Sequence, residues 1–162
     1  SISLTIRSDS FRNWLKLITL HKLKDPYQIN SLAHESRAEG FHMLDRLQQE
    51  WKEGTNRFDQ AGEILLLAIQ NQQVVGVCGL NRDPYTDNDR VGRVRRLYVS
   101  VDSRRRGIGR LLVTEIQNHC QGVFDQLRLR TDTPEADAFY RSLGFHRVKD
   151  DPECTHLREI CQ

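Results

Sequence analysis

Long apolar runs are missing from this sequence. The longest, residues 64–69 (ILLLAI), is far short of the roughly 20 apolar residues of a membrane-spanning helix, so no membrane partner is expected. No charged, then apolar, then small-residue leader opens the chain, which begins at Ser1 rather than Met; a trimmed start and a cytoplasmic protein are the expectations. An excess of one charge is missing too. Lys and Arg total 24 against 22 Asp and Glu, so bulk charge selects neither a polyanionic nor a polycationic partner. The four cysteines, Cys78, Cys120, Cys154 and Cys161, show no C-x-x-C spacing, which argues for reduced thiols. Cys154, His156 and Cys161 match no structural zinc spacing, and no metal is expected.

Two common phosphate-binding signatures are also absent. There is no GxxxxGK[ST] segment, which argues against a nucleoside triphosphatase loop, and Gly107 and Gly109 are followed by Leu112 where a dinucleotide fingerprint needs its third glycine. What is present runs over residues 93–114, RVRRLYVSVDSRRRGIGRLLVT. Val94, Leu97, Tyr98 and Val99 favour a strand, Asp102 and Ser103 a turn, and the residues from Leu111 onward a helix. Between strand and helix, Gly107 and Gly109 carry no side chains to hold a ligand away from the backbone. The first helical turn adds unpaired N–H groups and the positive end of the helix dipole. Arg104, Arg105, Arg106 and Arg110 add forked donors suited to phosphate. The combination predicts a pyrophosphate cradle.

The rest of the chain reads as alternating strands and helices. Residues 3–7 favour a strand, and Ser10 caps a helix with Phe11, Trp14, Leu15 and Ile18 at i, i+3, i+4 and i+7. Asp25 before Pro26 starts a second helical stretch that runs to Gly54, bent or divided at Gly40. Residues 63–70 and 74–80 flank a short polar turn, Asn71-Gln72-Gln73, and predict an antiparallel hairpin. A loop rich in turn residues, 81–92, leads to the strand from Arg93. Residues 124–130 predict another strand. Thr133 and Pro134 start a helix with Ala136, Phe139, Tyr140 and Leu143 as its stripe, ended by Gly144. Residues 146–149 and part of 155–160 complete a last strand pair. No repeat or internal boundary appears, so one domain is expected over 1–162.

Two segments resemble the GNAT family of N-acetyltransferases. Leu97, Val99, Arg104, Gly107 and Gly109 meet the pattern Arg/Gln-x-x-Gly-x-Gly/Ala after an L-x-V strand, and Ala136, Phe139, Tyr140, Gly144 and Phe145 meet N-x-x-A-x-x-F-Y-x-x-x-G-F, with Thr133 where the family often has Asn. The resemblance covers nearly the whole chain. It implies an α/β (mixed α+β) fold with a central, mostly antiparallel sheet and helices on both faces. It also implies acetyl-CoA as co-substrate and transfer to a primary amine by direct attack in a ternary complex. The implied cofactor-binding residues are Leu97, Tyr98, Val99, Arg104, Arg105, Arg106, Gly107, Ile108, Gly109, Arg110, Thr133 and Tyr140, with the pantetheine arm pairing like an added strand at residues 97–99. Tyr140 is the implied general acid, protonating the departing thiolate.

Many relatives place a glutamate on the strand before the loop. Here that stretch is Arg93, Val94, Arg95 and Arg96, so no base is assigned; Asp83, Asp87 and Asp132 stand elsewhere as acids. Simple alternation puts Arg93 and Arg95 on the face of Leu97 and Val99, and a bulge would reverse this. An arginine in the cleft would favour an acceptor that carries a carboxylate or phosphate. The acceptor itself, a small molecule or a protein amine, is not specified; His21, His34, Tyr27 and Tyr85 are candidate lining residues. An exposed sheet edge would allow a homodimer. Two other functions compete. One is a non-catalytic module that binds acetyl-CoA or CoA. The other is a nucleic-acid domain using the arginine-rich patch, disfavoured by the near-neutral charge and by the lack of aromatics among the arginines beyond Tyr98.

Overall fold

The computed structural model describes residues 17–161. The strand expected at residues 3–7 and the helix residues Phe11, Trp14 and Leu15 lie outside them. Ile18, assigned to that helix by its spacing, instead opens strand β1 (Ile18–Lys22), where Ile18 and Leu20 are buried and Thr19 and His21 are half-buried. The two-residue period of the strand overrides the longer one.

Asp25 begins the helical layer as expected. Its carboxylate accepts from the Tyr27 N–H while Gln28 reaches back to the Asp25 N–H, a capping box on a 3-10 turn at Pro26–Ile29. Helices α1 (Asn30–Ala38) and α2 (Met43–Glu53) follow, separated around Gly40. The apolar run of β2 (Ile64–Gln70) pairs with β3 (Gln73–Arg82) through a turn in which Asn71 and Gln72 take φ of 50° and 65°. Two left-handed residues match the right-handed twist of the flanking strands. β4 (Val91–Val99), α3 (Ile108–His119), β5 (Gln126–Leu129), α4 (Pro134–Ser142), β6 (His146–Arg147) and β7 (His156–Glu159) complete the order. The loop expected at 81–92 is shorter, because β3 extends to Arg82 and β4 begins at Val91.

The seven strands of the described residues form one sheet in the order β1-β2-β3-β4-β5-β7-β6, antiparallel everywhere except between β4 and β5. One face buries Leu66, Cys78, Leu80, Val94 and Leu127 against α3 and against Tyr140 and Leu143 of the α4 segment. The other buries Leu65, Leu67, Val77 and Tyr98 against Leu32, Leu44 and Leu47 of α1 and α2. The expected mixed sheet with helices on both faces is present. Among the described residues no helix is long and apolar enough to cross a membrane.

Two irregularities mark β4. Its parallel pairing with β5 is confined to Val91, Gly92 and Arg93 against Gln126, Leu127 and Arg128. Beyond Arg93 the two strands part, and among the described residues β4 residues 94–99 have a sheet neighbour on the β3 side alone. In addition, the β3–β4 register jumps from Gly79↔Arg95 to Val77↔Tyr98, so Cys78 faces both Arg96 and Leu97, and Arg96 takes a φ of 61°. This is a β-bulge. It corrects the simple alternation: Val94 and Leu97 pack on the α3 side, whereas Arg95 and Arg96 both turn to the side of Tyr98, α1 and α2.

Candidate functional site

The chain leaves β4 at Val99, makes a 3-10 turn at Val101–Ser103, and enters α3 through Arg105 and Gly107, with φ of 63° and 89°. Gly107 is the N-cap and carries no side chain to fold over the helix start. The first backbone bond runs from the Leu111 N–H to the Gly107 carbonyl. The N–H groups ahead of it form the orphan first turn that favours an anion. A Cβ on Gly109 would stand 3.4 Å from Phe139 Cζ and 3.8 Å from Val99 Cγ2. A longer side chain there would push between the helix start, α4 and the end of β4.

Of the expected arginines, Arg105 and Arg106 lie on the exposed loop. Arg110 is tied to α4 by a bond from Nη2 to Ser142 Oγ at 2.7 Å. Arg104 reaches back to α1: its guanidinium forks onto Glu39 and its Nε donates to the Val99 carbonyl at 3.0 Å. Tyr98 donates its O–H to the same Glu39. Glu35, one turn earlier, accepts from the Val101 N–H at 2.6 Å and from Ser100 Oγ at 3.1 Å. Two carboxylates of α1 therefore clasp the end of β4. Arg104 first and Tyr98 second hold the Glu39 carboxyl below its usual range, while burial and the bond to Glu39 raise the Tyr98 phenol.

Tyr140 lies on the opposite face of the sheet, buried and edge-on to Phe139 and Phe145 with ring centroids 5.0 and 5.5 Å away. Burial pushes its phenol well above the usual range, and Cys78, the residue opposite the β4 bulge, adds to the shift. Among the described residues no hydrogen-bond partner meets its hydroxyl. A neutral O–H with an open donor is thus held in the core on the α3 face of the sheet. Thr133 caps α4 by accepting from the Ala136 N–H at 3.1 Å, as its sequence position predicts. A further contact joins α4 to β7: buried His156 bonds Asp137 through Nε2 at 2.7 Å and Thr155 through Nδ1 at 2.9 Å.

The carboxylate missing from β4 has neighbours in space. Asp83 is buried beside Arg93, Oδ1 to Nη1 at 3.7 Å, and Arg93 lies under the Tyr85 ring, 4.7 Å from its centroid. Glu50, from α2, bonds Arg96 at 2.9 Å. Burial first, and Arg95 second, make Arg96 give up its proton more readily than a free arginine. Asp87 and Asp132 are exposed. Of the candidate lining residues, Tyr85 stands at β4, His21 is on β1 three strands away, and His34 and Tyr27 are exposed on the helical layer. Glu35, Glu39 and Glu50 were not among the sequence candidates, because each acts through a residue at least 46 positions distant.

Comparison with known proteins adds an independent line. Residues 61–147 match the acetyltransferase (GNAT) domain family, a span that includes β2 to α4. Over 73 residues the chain is 37% identical to N-alpha-acetyltransferase RimI of Mycobacterium tuberculosis (strain ATCC 25618 / H37Rv); the match takes in 45% of this chain and 44% of RimI, so it spans under half the length of that relative. Among solved structures, a candidate acetyltransferase from Exiguobacterium sp. 255-15 superposes with a TM-score of 0.77 at 28% identity, covering 88% of this chain and 93% of that one. The PaiA N-acetyltransferase of Thermoplasma acidophilum, solved in complex with coenzyme A, superposes with a TM-score of 0.65 at 16% identity over 88% and 98% of the two chains, a likeness of fold.

Proposed function

This chain belongs to the GNAT acetyltransferase family, and from that premise we propose that it transfers the acetyl group of acetyl-CoA to a primary amine within a single domain. The observation that carries the reading is the conjunction of a parted β4–β5 pair with an uncapped helix start beside it. An extended pantetheine arm needs free strand-edge groups, and β4 offers them over residues 94–99. A pyrophosphate needs convergent N–H donors and positive charge; the first turn of α3 supplies the first, and Arg105 and Arg106 on the loop before it supply the second. The residues present fit the co-substrate.

Bound acetyl-CoA supplies the activated acyl group: an amine that has lost its ammonium proton to solvent forms the N–C bond at the thioester carbonyl, the C–S bond breaks, and the sulfur leaves as a thiol. The chain's own groups serve that exchange in three ways. Leu97, Tyr98 and Val99 present backbone donors and acceptors along the slot, and an N–H beside Val99 lies where negative charge develops on the carbonyl oxygen. Tyr140 holds its proton firmly, because burial disfavours the phenolate, and gives it to the departing sulfur. The proton shed by the nitrogen then returns to Tyr140 through solvent. Arg104 acts through Glu39 and Val99, bracing the end of β4. The acceptor carries an anionic group beside its amine, since β4 turns Arg93, Arg95 and Arg96 to the α1–α2 face.

Replacing Tyr140 by Phe keeps the packing and removes the proton. Steady-state assays of thiol release should show kcat reduced on the order of 100-fold, with acetyl-CoA affinity within about twofold of the parent. Equal losses in both would assign Tyr140 to packing.

A further inference from the structure

The bulge at Arg96 has placed three arginines of β4 on one face, and they are not answered equally. Arg93 has Asp83 and the Tyr85 ring, and Arg96 has Glu50. Arg95 has no partner among the described residues. It lines a cleft of about 260 Å³, bounded by the end of α2, the 54–60 segment and the end of β3. The cleft is smaller than the roughly 300–1,000 Å³ of sites for drug-sized ligands. An amino-acid-sized occupant fits that scale.

The other charges on the cleft wall are largely committed. Glu63 accepts from the Asn81 side chain, the Arg82 N–H and the Gln60 N–H. Arg57 donates Nε to the Trp51 carbonyl, and Arg82 pairs with Asp89. Asp59 is exposed. Among the described residues three charged groups of the wall keep free capacity: the exposed carboxylate of Asp59 at the rim and, nearer the bulge, the guanidinium of Arg95 and Glu50, whose Oε1 is held by Arg96. Buried nitrogens on the same strand also lack a hydrogen bond among the described residues, Arg96 Nε and, farther along β4, Arg93 Nη1, which faces Asp83 at ion-pair distance alone. A half-buried, forked cation next to a tethered carboxylate offers complementary sites to a molecule bearing both charges.

We propose that this cleft is the acceptor's recognition site and that the acceptor is a small zwitterionic amino acid, its carboxylate on Arg95 and its ammonium drawn by Glu50 toward the bulge and the open edge of β4. The proposal rests on the transferase reading above and narrows its substrate class. A free carboxylate is attracted by Arg95, whereas a polyamine meets Arg95 and Arg96 as like charges. Glu50 serves as a steering group, and Arg96 holds it in place.

The test is thiol release from acetyl-CoA by the full chain, run with the twenty free amino acids, their carboxamides, and short peptides with neutral side chains and amidated ends. At least one free acid should exceed its carboxamide in kcat/KM by about 10-fold or more, the scale of a lost charge-assisted bond. Arg95→Gln should lower kcat/KM for that acid until the acid-to-carboxamide ratio falls to about one, with acetyl-CoA binding retained; Arg95→Lys should restore part of the preference. Unchanged acetyl-CoA binding also reports that each variant is folded. Carboxamides or peptide amines used as well as free acids would overturn the proposal, as would Arg95→Gln slowing acid and carboxamide alike, or turnover of no free acid by a protein that binds acetyl-CoA. Failure of the transferase reading is separate: the parent protein would not bind acetyl-CoA at all.

Discussion

Glu39 accepts three hydrogen bonds that brace the end of β4. Its carboxylate takes Tyr98 from the strand and Arg104 from the loop, joining α1 to the approach of the helix start. The folded carboxyl lies below its ordinary value of 4.5, so the clasp contributes fully above that value and is lost as pH falls through the lower, folded one. The side chains are partly exposed, which limits the gain to about 1 kcal/mol. Glu39→Gln should therefore lower stability by about that amount in urea unfolding at neutral pH, and the gap to the parent should shrink as the pH falls below the ordinary carboxyl value and close once it has passed the lower, folded one. A gap of equal size at both pH values would mean that charge plays no part in the clasp. Tyr98 itself belongs to the α1–α2 core, so it packs and bonds at once.

At the scale of elements, the decisive unit is the strand, turn and helix from β4 to α3. Its outline is readable in sequence because the determinants are local: strand formers to Val99, then turn residues, then two glycines one residue apart. The bulge was not readable. It is set by how Gly79 and Val77 of β3 meet β4, and a one-residue slip moves Arg95 to the other face of the sheet. Ile18 shows the same limit, since its helical spacing and its alternation with Leu20 both exist in the sequence and pairing with Gln70 of β2 decides between them. Gly107 tests the helix start directly. At a φ of 89° an alanine costs about 1–2 kcal/mol, and the strain falls on the backbone that would hold the pyrophosphate. Gly107→Ala should weaken acetyl-CoA binding about 10-fold, read by calorimetry, beyond any loss of stability. Stability lost with affinity unchanged would remove this turn from the site.

For the molecule as a whole, one sheet separates two cores, and the proposed site lies where the sheet opens. The α3 side brings the helix start and Tyr140; the α1–α2 side brings Glu35, Glu39 and Glu50. The close fit of the second side is visible at Gly79, where a Cβ would come within 2.4 Å of Phe58 Cε1, a distance no packed side chain tolerates. The two motifs of the first side could be recognised in the sequence because each is contiguous. The carboxylates of the second could not, because contacts spanning 46 to 66 residues leave no local pattern.

In the proposed function, the parted strands and the helix start beside them receive acetyl-CoA. Calorimetric titration of acetyl-CoA into the purified protein and into Gly109→Glu tests it most directly, with duplex DNA titrated at the same salt. One-to-one binding in the roughly micromolar range is expected, abolished or weakened at least about 10-fold by the glutamate, which adds negative charge at the positive end of α3. Absence of heat at several temperatures, together with DNA binding that falls steeply with salt, would contradict it and make the arginine-rich loop a nucleic-acid surface instead.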